Sequence, residues 1–416
     1  MSDLLTGVRV VESAVLLNGD TVGMLLGDLG ADVIKVETPP AGDYLRYFLG
    51  QVTPGVSVAH AQVNKNKRSV LLDLTTASGL DAFWRLIDTA DIFIDGNRPG
   101  VCNKLGVGPD AMLKRRPSIV YVQHTGFGAT GPYASIPPHG MMMNSLVGAH
   151  ALREGEDGQM YPTTPECDGA NLGGEATSVG ALHAALHAVS ALLRARATGA
   201  GAHIDVAASD ATALTAWLPI TLQRNDARIT DRTGMAERSG GEMTGSRYQF
   251  YATADGKVVL FGCIEQRFWD LWASAAGRDD LIGREAAGGN SAVEWGDADE
   301  RGLVAEVIRT KTLAEWVSLA AKHGFALSPA HQNVEDVVND PHVQTRNVFV
   351  DGEHPVAGPI SYVGSAAVVD GKPHQVRRHA PSPGEHTREI LTEVGMSNDD
   401  IDRLLHPRPS EMSKPC

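Results

Sequence analysis

The segment VRVVES (8–13), followed by TVGMLLGD (21–28) and ADVIKVE (31–37), decides the fold. The outer pieces are short runs rich in Val and Ile that read as strands, and the middle piece reads as a helix. Strand, helix and strand within roughly 30 residues make a βαβ unit. The alternation recurs downstream. RSVLLDL (68–74) reads as a strand, ASGLDAFWRLIDTA (77–90) opens a helix, and DIFID (91–95) and SIVYVQHT (118–125) are two more strands. From Gly173 to Ala197 the spacing is helical, it stops at Thr198-Gly199-Ala200-Gly201, and the strand AHIDVAA follows. Strands that alternate with helices predict an open parallel sheet with helices on both faces.

After about residue 222 the character changes. RYQFYATADGKVVLFGC (247–263) reads as two strands joined by an Asp255-Gly256 turn, and EQRFWDLWASAAG as a helix behind them. The predicted organisation is a large α/β domain over 1–222, a smaller α+β domain over 223–330, and a segment 331–416 that returns to the large domain. That last segment is read as polar, Pro-rich connections such as EHPVAGPI (353–360) and one closing helix over 383–394.

Composition narrows the function. The 416 residues suffice for two or three domains, and 36 Lys plus Arg against 50 Asp plus Glu give a net charge of −14, which disfavours nucleic acid as a partner. Cys102, Cys167, Cys263 and Cys416 form neither a close pair nor a metal spacing, as expected in a reducing, cytoplasmic setting. The start has no basic region followed by an apolar one, and the apolar stretch Val179–Leu193 is interrupted by two His and a Ser, so neither a secretion signal nor a membrane span is expected.

Several motifs are set aside on physical grounds. Gly126-Phe127-Gly128-Ala129-Thr130-Gly131 matches the dinucleotide fingerprint in letters, but Pro132, Pro137 and Pro138 follow where a helix would have to open onto a pyrophosphate. His183 and His187 have the i, i+4 spacing of metal ligands, yet no third ligand accompanies them, so no metal is expected. No Walker phosphate loop and no G-x-S-x-G nucleophile turn occurs. Two features keep two readings each. Asn64-Lys65-Asn66-Lys67-Arg68 is a basic cluster in an acidic chain, either a solvated face or, with Arg46, Arg98 and Lys104, a place for a phosphorylated ligand. Asp168, in PECDGANLGG (165–174), is either a partner of the following helix or a nucleophile flanked by glycines whose N–H groups are free to stabilise an oxyanion.

Taken together, VRVVE, MLLGDLGADVIKVE (24–37), GDYLR (42–46), NKNKRSVLLDL (64–74), NRPGVCNKLGVG (97–108), TGFGATGPY (125–133), TGAGAHIDVAASDA (198–211), YATADGK (251–257) and PGEHTREIL (383–391) resemble the class III CoA-transferase (CaiB/BaiF) family, in family order over nearly the whole chain. That family includes formyl-CoA transferase, carnitine CoA-transferase and the 2-methylacyl-CoA racemases. The resemblance implies a Rossmann-like large domain, a small domain and an interlocked homodimer. Coenzyme A is implied as part of the substrate, an acyl-CoA thioester, with no prosthetic group. Lys65, Lys67, Arg68, Arg98 and Lys104 are the implied phosphate contacts, with Leu72 and Leu105 beside the adenine, although Thr38 stands where formyl-CoA transferases carry an Arg.

Asp168 matches the family's catalytic aspartate. In the transferases that carboxylate attacks the thioester, becomes a mixed anhydride and then an aspartyl-CoA thioester, and an acceptor carboxylic acid finally receives CoA. Leu17 replaces the glutamine of formyl-CoA transferase and disfavours oxalate or formate chemistry. His139 falls where the racemases have their histidine, and Glu265 matches the glutamate that supports it, so His139 and Asp168 would form an acid/base pair for racemisation. The racemases follow that histidine with an aspartate, whereas this chain has Gly140. CoA transfer is therefore the expected reaction, racemisation the alternative and non-catalytic CoA binding a third. Met141, Met142 and Met143 are read either as a soft apolar pocket lining that favours a bulky acyl chain or as ordinary core.

Overall fold

The computed structural model describes residues 3–148, 152–162, 175–232, 235, 245–285 and 295–406. Six parallel strands form the main sheet: β1 (Arg9–Ser13), β2 (Asp32–Glu37), β3 (Lys67–Leu71), β4 (Ile92–Asp95), β5 (Val120–Thr125) and β6 (Ala202–Ala207). Their spatial order is β6-β5-β4-β1-β2-β3. Numbered along the chain this is 3-2-1-4-5-6, the doubly wound Rossmann order, in which the chain reverses its direction of winding between β1 and β4.

Each crossover is a helix: α1 (Leu16–Asp28), α2 (Val58–Asn64), α3 (Ala77–Ile87), α4 (Pro109–Arg115) and α5 (Glu175–Thr198). Ser57 caps α2 by accepting from His60 N–H, and Thr76 caps α3 by accepting from Gly79 N–H, so both starts are written locally. Alternate strand residues serve opposite layers. Val11, Ile34 and Phe93 pack on α3 and the C-terminal helices, while Val10, Val33 and Ile92 pack on α1 and α5.

By length and composition, Ala176–Thr198 of α5 is apolar enough to cross a membrane. Its Ala181, Ala184, Ala188 and Leu192 are instead buried against the sheet. Its other face exposes Leu182, Leu186 and Leu193.

The chain divides into two compact units. The first contains the main sheet together with residues 340–416, and the second is built chiefly from 218–339. In the second, β7 (Gln249–Ala252) and β8 (Val258–Phe261) form the expected hairpin, with Gly256 in the left-handed conformation its turn requires. A third strand, β9 (Leu327–Pro329), which the sequence reading did not anticipate, pairs with β8. Helices α6 (Gln266–Ala276), α7 (Ala298–Ile308) and α8 (Leu313–His323) enclose Trp269, Trp272 and Trp316, all fully buried.

Two expectations for the C-terminal segment need correction. The EHPVAGPI stretch is not a plain connection: it is the turn of an antiparallel hairpin, β10 (Phe349–His354) and β11 (Gly358–Val363). The closing helix is followed by another, so the segment ends in α9 (Thr387–Glu393) and α10 (Asn398–Leu405), the latter capped by Ser397. Ile390, Leu391 and Ile401 complete the layer over α3.

Candidate functional site

In a doubly wound sheet the carboxyl ends of the strands beside the winding reversal leave a crevice for ligands. Here that point lies between the turn after β1 and the turn after β4. The two turns meet where Gly19 lies against Gly96 and Ala14, and any β-carbon on either glycine would overlap them. Asn97 ties the turns together by donating its amide to Ser13 O at 3.0 Å and to Asp95 Oδ1 at 3.0 Å.

The turn after β1 is held by buried charge. Lys35 Nζ donates to Ala14 O at 3.0 Å and pairs with Asp43 at 3.0 Å, while Asp43 accepts from Leu16 N–H at 3.2 Å. Leu16 needs that hold, because its φ of 61 lies in the left-handed region. Lys35 also bonds Asp20, and Lys67 pairs with Glu12 at 2.8 Å. Burial pushes the Asp20 carboxyl well above its ordinary range. For Asp43 burial acts the same way, but the Lys35 charge prevails and holds it low. Glu12, Asp20 and Asp43 thus share two buried cations, Lys35 and Lys67, and the opposite charges offset one another in the core.

This arrangement changes the meaning of the basic cluster. Lys67 is 0 % exposed and bound to Glu12. Lys65 is equally buried and pairs with Asp28 at 2.8 Å. Arg68, on the opposite face of β3, is shared among Asp32, Glu389 and Glu393 at 2.6–2.8 Å. The Asp32 carboxyl, which burial alone would raise, is held below its ordinary range by Arg68. All three cations are therefore matched by carboxylates from within the chain and are not gathered on a surface open to phosphate. Leu72 is 1 % exposed inside the core, so it does not present a face to an adenine either. Arg98 and Lys104, by contrast, are exposed, on the segment that leaves β4. Leu105 beside them is half-buried.

The glycine loop after β5 opens no helix, which agrees with setting the dinucleotide fingerprint aside: Gly128 and Gly131 are left-handed loop residues, and Pro138 packs on Gly126. The loop instead walls a cavity of about 650 Å³. Phe127, Tyr133, Ile136, Met141, Met142 and Leu146 form its apolar lining. His139 and Ser145 are its other members, and this pocket is shallow and open to solvent. Met143 is buried in the core beside it. Asn144 is also buried, and its Oδ1 accepts from Ala176 N–H at 3.2 Å, which ties the cavity wall to the first turn of α5. His183 and His187 stack at 6.2 Å on α5, and no group of three metal-ligating side chains occurs among the described residues.

Behind the loop lies a histidine that sequence reasoning passed over. His124 is fully buried, its Nδ1–H donates to Asn18 O at 2.8 Å, and its bare Nε2 faces Gly180 of α5. Burial lowers its pKa to about 4. The unfolded chain, with an imidazole near its ordinary 6.5, therefore takes up a proton in that interval that the native protein refuses. Stability contributed by His124 should be lost as pH falls from 6.5 towards 4, by about 3 kcal/mol in all. Urea titrations of wild type and His124→Asn at pH 7 and pH 5 should show a steeper loss in wild type. The comparison cancels the opposite contribution of Asp20, which both proteins share, and equal slopes would contradict the assignment.

With the geometry established, comparison with known proteins decides the family. The family profile of CoA-transferase family III matches residues 5–387. The chain belongs to CoA-transferase family III. Its similarity to individual members is moderate and runs end to end. It is 29% identical to the succinyl-CoA–L-malate CoA-transferase beta subunit of Chloroflexus aurantiacus, over 97% of each chain. It is 30% identical to the alpha-methylacyl-CoA racemase of Mus musculus, over 99% of this chain and 98% of that one. A crystal structure of a CaiB/BaiF family protein from Brucella suis superposes with a TM-score of 0.70 at 27% identity, covering 93% of this chain and 98% of that one. Of the other family III residues expected at the site, Asp168 lies outside the described residues. Glu265 is half-buried at the start of α6 in the second unit, where its carbonyl accepts from Phe268 N–H at 2.9 Å.

Proposed function

We propose that this family III chain moves CoA from an acyl-CoA thioester to a free carboxylic acid, with Asp168 as the nucleophile. The observation that carries the choice of reaction is the state of His139. Its residue is exposed, Gly140 follows it in a left-handed conformation, and no side chain bonds its ring among the described residues. A base for α-proton removal is normally oriented by a second group, and none of the described residues bonds the His139 ring.

In the proposed sequence the Asp168 carboxylate adds to the thioester carbonyl and expels CoA thiolate, leaving an acyl–aspartyl anhydride. The thiolate then attacks the aspartyl carbonyl, releasing the first carboxylate and forming an aspartyl-CoA thioester. The acceptor carboxylate repeats the two steps in reverse and leaves as the new thioester, with Asp168 restored. Each step exchanges one acyl bond for another, so no redox or metal chemistry is required. Arg98 and Lys104 are assigned to the phosphates of CoA. The leucines exposed on α5 support a homodimer, interlocked as in the family, and the described cysteines, Cys102 and Cys263, are buried and free, in keeping with a cytoplasmic setting.

Racemisation is the second reading, favoured by the place of His139 in the cavity wall and by the similarity to the mouse racemase. One experiment separates the two: incubation with a 2-methylacyl-CoA in deuterated water, with and without free carboxylic acids. Transfer predicts new thioesters only when an acceptor is present and no label at the α-carbon. Rapid α-deuteration without acceptor would overturn it.

A further inference from the structure

We infer that His124 is a positioning residue for acyl-CoA turnover: from β5 it fixes the turn after β1, one wall of the crevice at the winding reversal. This rests on the acyl-CoA reading above and goes beyond it by naming a residue that acts on the reaction without touching the thioester. Backbone groups of that turn are tied down from three other segments. Ala14 O accepts from Lys35 Nζ on β2 at 3.0 Å, Leu16 N–H donates to Asp43 on the loop after β2 at 3.2 Å, and Asn18 O accepts from His124 Nδ1–H at 2.8 Å. The restraint answers a strain. Leu16 has a φ of 61, a left-handed conformation that a residue other than glycine keeps only where its surroundings hold it, and such residues gather at functional sites. No side chain caps the start of α1, so the exit of the turn into the helix depends on these outside bonds.

The choice of histidine at position 124 points the same way. Val120 and Val122, which precede it on the same face of β5, are apolar and pack in the core. A third apolar residue would fill the place without leaving a buried nitrogen unpaired, as Nε2 is. Gly180 of α5 makes room for the ring, since any β-carbon there would overlap Nε2. What the imidazole supplies in return is its one polar contact, the bond to Asn18 O. A crevice wall displaced by as little as about 1 Å misaligns a bound thioester and costs about a hundredfold in rate.

The test compares His124→Leu, His124→Asn and Gly180→Ala in the full-length protein, reading hydrogen exchange over residues 14–22, CoA affinity and turnover of an acyl-CoA. Leucine fills the site without a donor. The asparagine amide restores a donor near the place of Nδ1. Gly180→Ala displaces the ring without altering it and keeps the test open if the leucine variant fails to fold. In His124→Leu and Gly180→Ala, exchange should quicken and kcat should fall, each by at least about tenfold, while CoA affinity stays within about threefold. His124→Asn should return exchange and kcat toward wild type, which a role in packing alone does not predict. Unchanged exchange, faster exchange with kcat unchanged, or equal losses in the leucine and asparagine variants would overturn the positioning role while leaving the acyl-CoA reading intact. A wild-type protein that neither binds CoA nor turns over an acyl-CoA would remove both.

Discussion

Asp168→Asn should abolish CoA transfer, lowering kcat by at least about a thousandfold, because an amide can neither attack a thioester nor leave from an anhydride. The substitution is nearly isosteric, so circular dichroism and thermal melting should match wild type. Two measurements check the result. A single-turnover assay with an acyl-CoA and an acceptor acid should lose its burst, and mass spectrometry of quenched wild-type protein should find CoA or an acyl group on the peptide that contains Asp168. A variant within tenfold of wild type, or a wild-type protein with no adduct under turnover, would remove the nucleophile from the proposed reaction.

Lys67→Ala is expected to act on stability and not on phosphate binding. It takes from Glu12, fully buried, its 2.8 Å partner and leaves only Lys35, at 3.5 Å and already bound to Asp43, in a core from which water is excluded. Breaking a buried pair from one side costs about 3–5 kcal/mol, a large share of the stability of an ordinary protein. Urea unfolding should move accordingly, and the double variant Glu12→Gln with Lys67→Met should recover much of the loss by removing both charges together. Gly23 closes on the same carboxylate, since a β-carbon there would overlap Glu12 Oε2, so repacking is limited on that side. CoA affinity should instead fall in Arg98→Ala and Lys104→Ala, and its salt dependence should shrink with each. A CoA affinity that drops in Lys67→Ala at full folding, with Arg98→Ala and Lys104→Ala unchanged, would return the phosphates to the cluster.

These two predictions separate residues whose role is legible in the sequence from residues whose role is not. The alternation of VRVVES, the first helix and ADVIKVE predicts parallel strands and crossovers, and the structure shows them, because strand and helix periodicity is written among near neighbours. The small hairpin at Asp255-Gly256 and the helix ending at Gly277 are legible for the same reason: each turn or cap rests on one residue and its local backbone. The EHPVAGPI turn is not legible in the same way, since β11 is stabilised by packing of Ile360 and Tyr362 on Val56 and Ala61, nearly 300 residues earlier in the chain.

The sequence by itself determined the class of fold and, through ordered motifs, the membership of the chain in its family. Tertiary structure alone decided which charges are free. Lys67 meets Glu12 across 55 residues and Arg68 meets Glu389 across 321, so a run that looks solvent-facing in one dimension is neutralised in three. It also decided the order of the strands, and with it where the winding reverses. The cavity around His139 and the burial of His124 against α5 were settled the same way. The physical reason is common to all of them: backbone periodicity is fixed by interactions a few residues apart, whereas ion pairing, desolvation and cavity shape depend on which distant segments the sheet brings into contact.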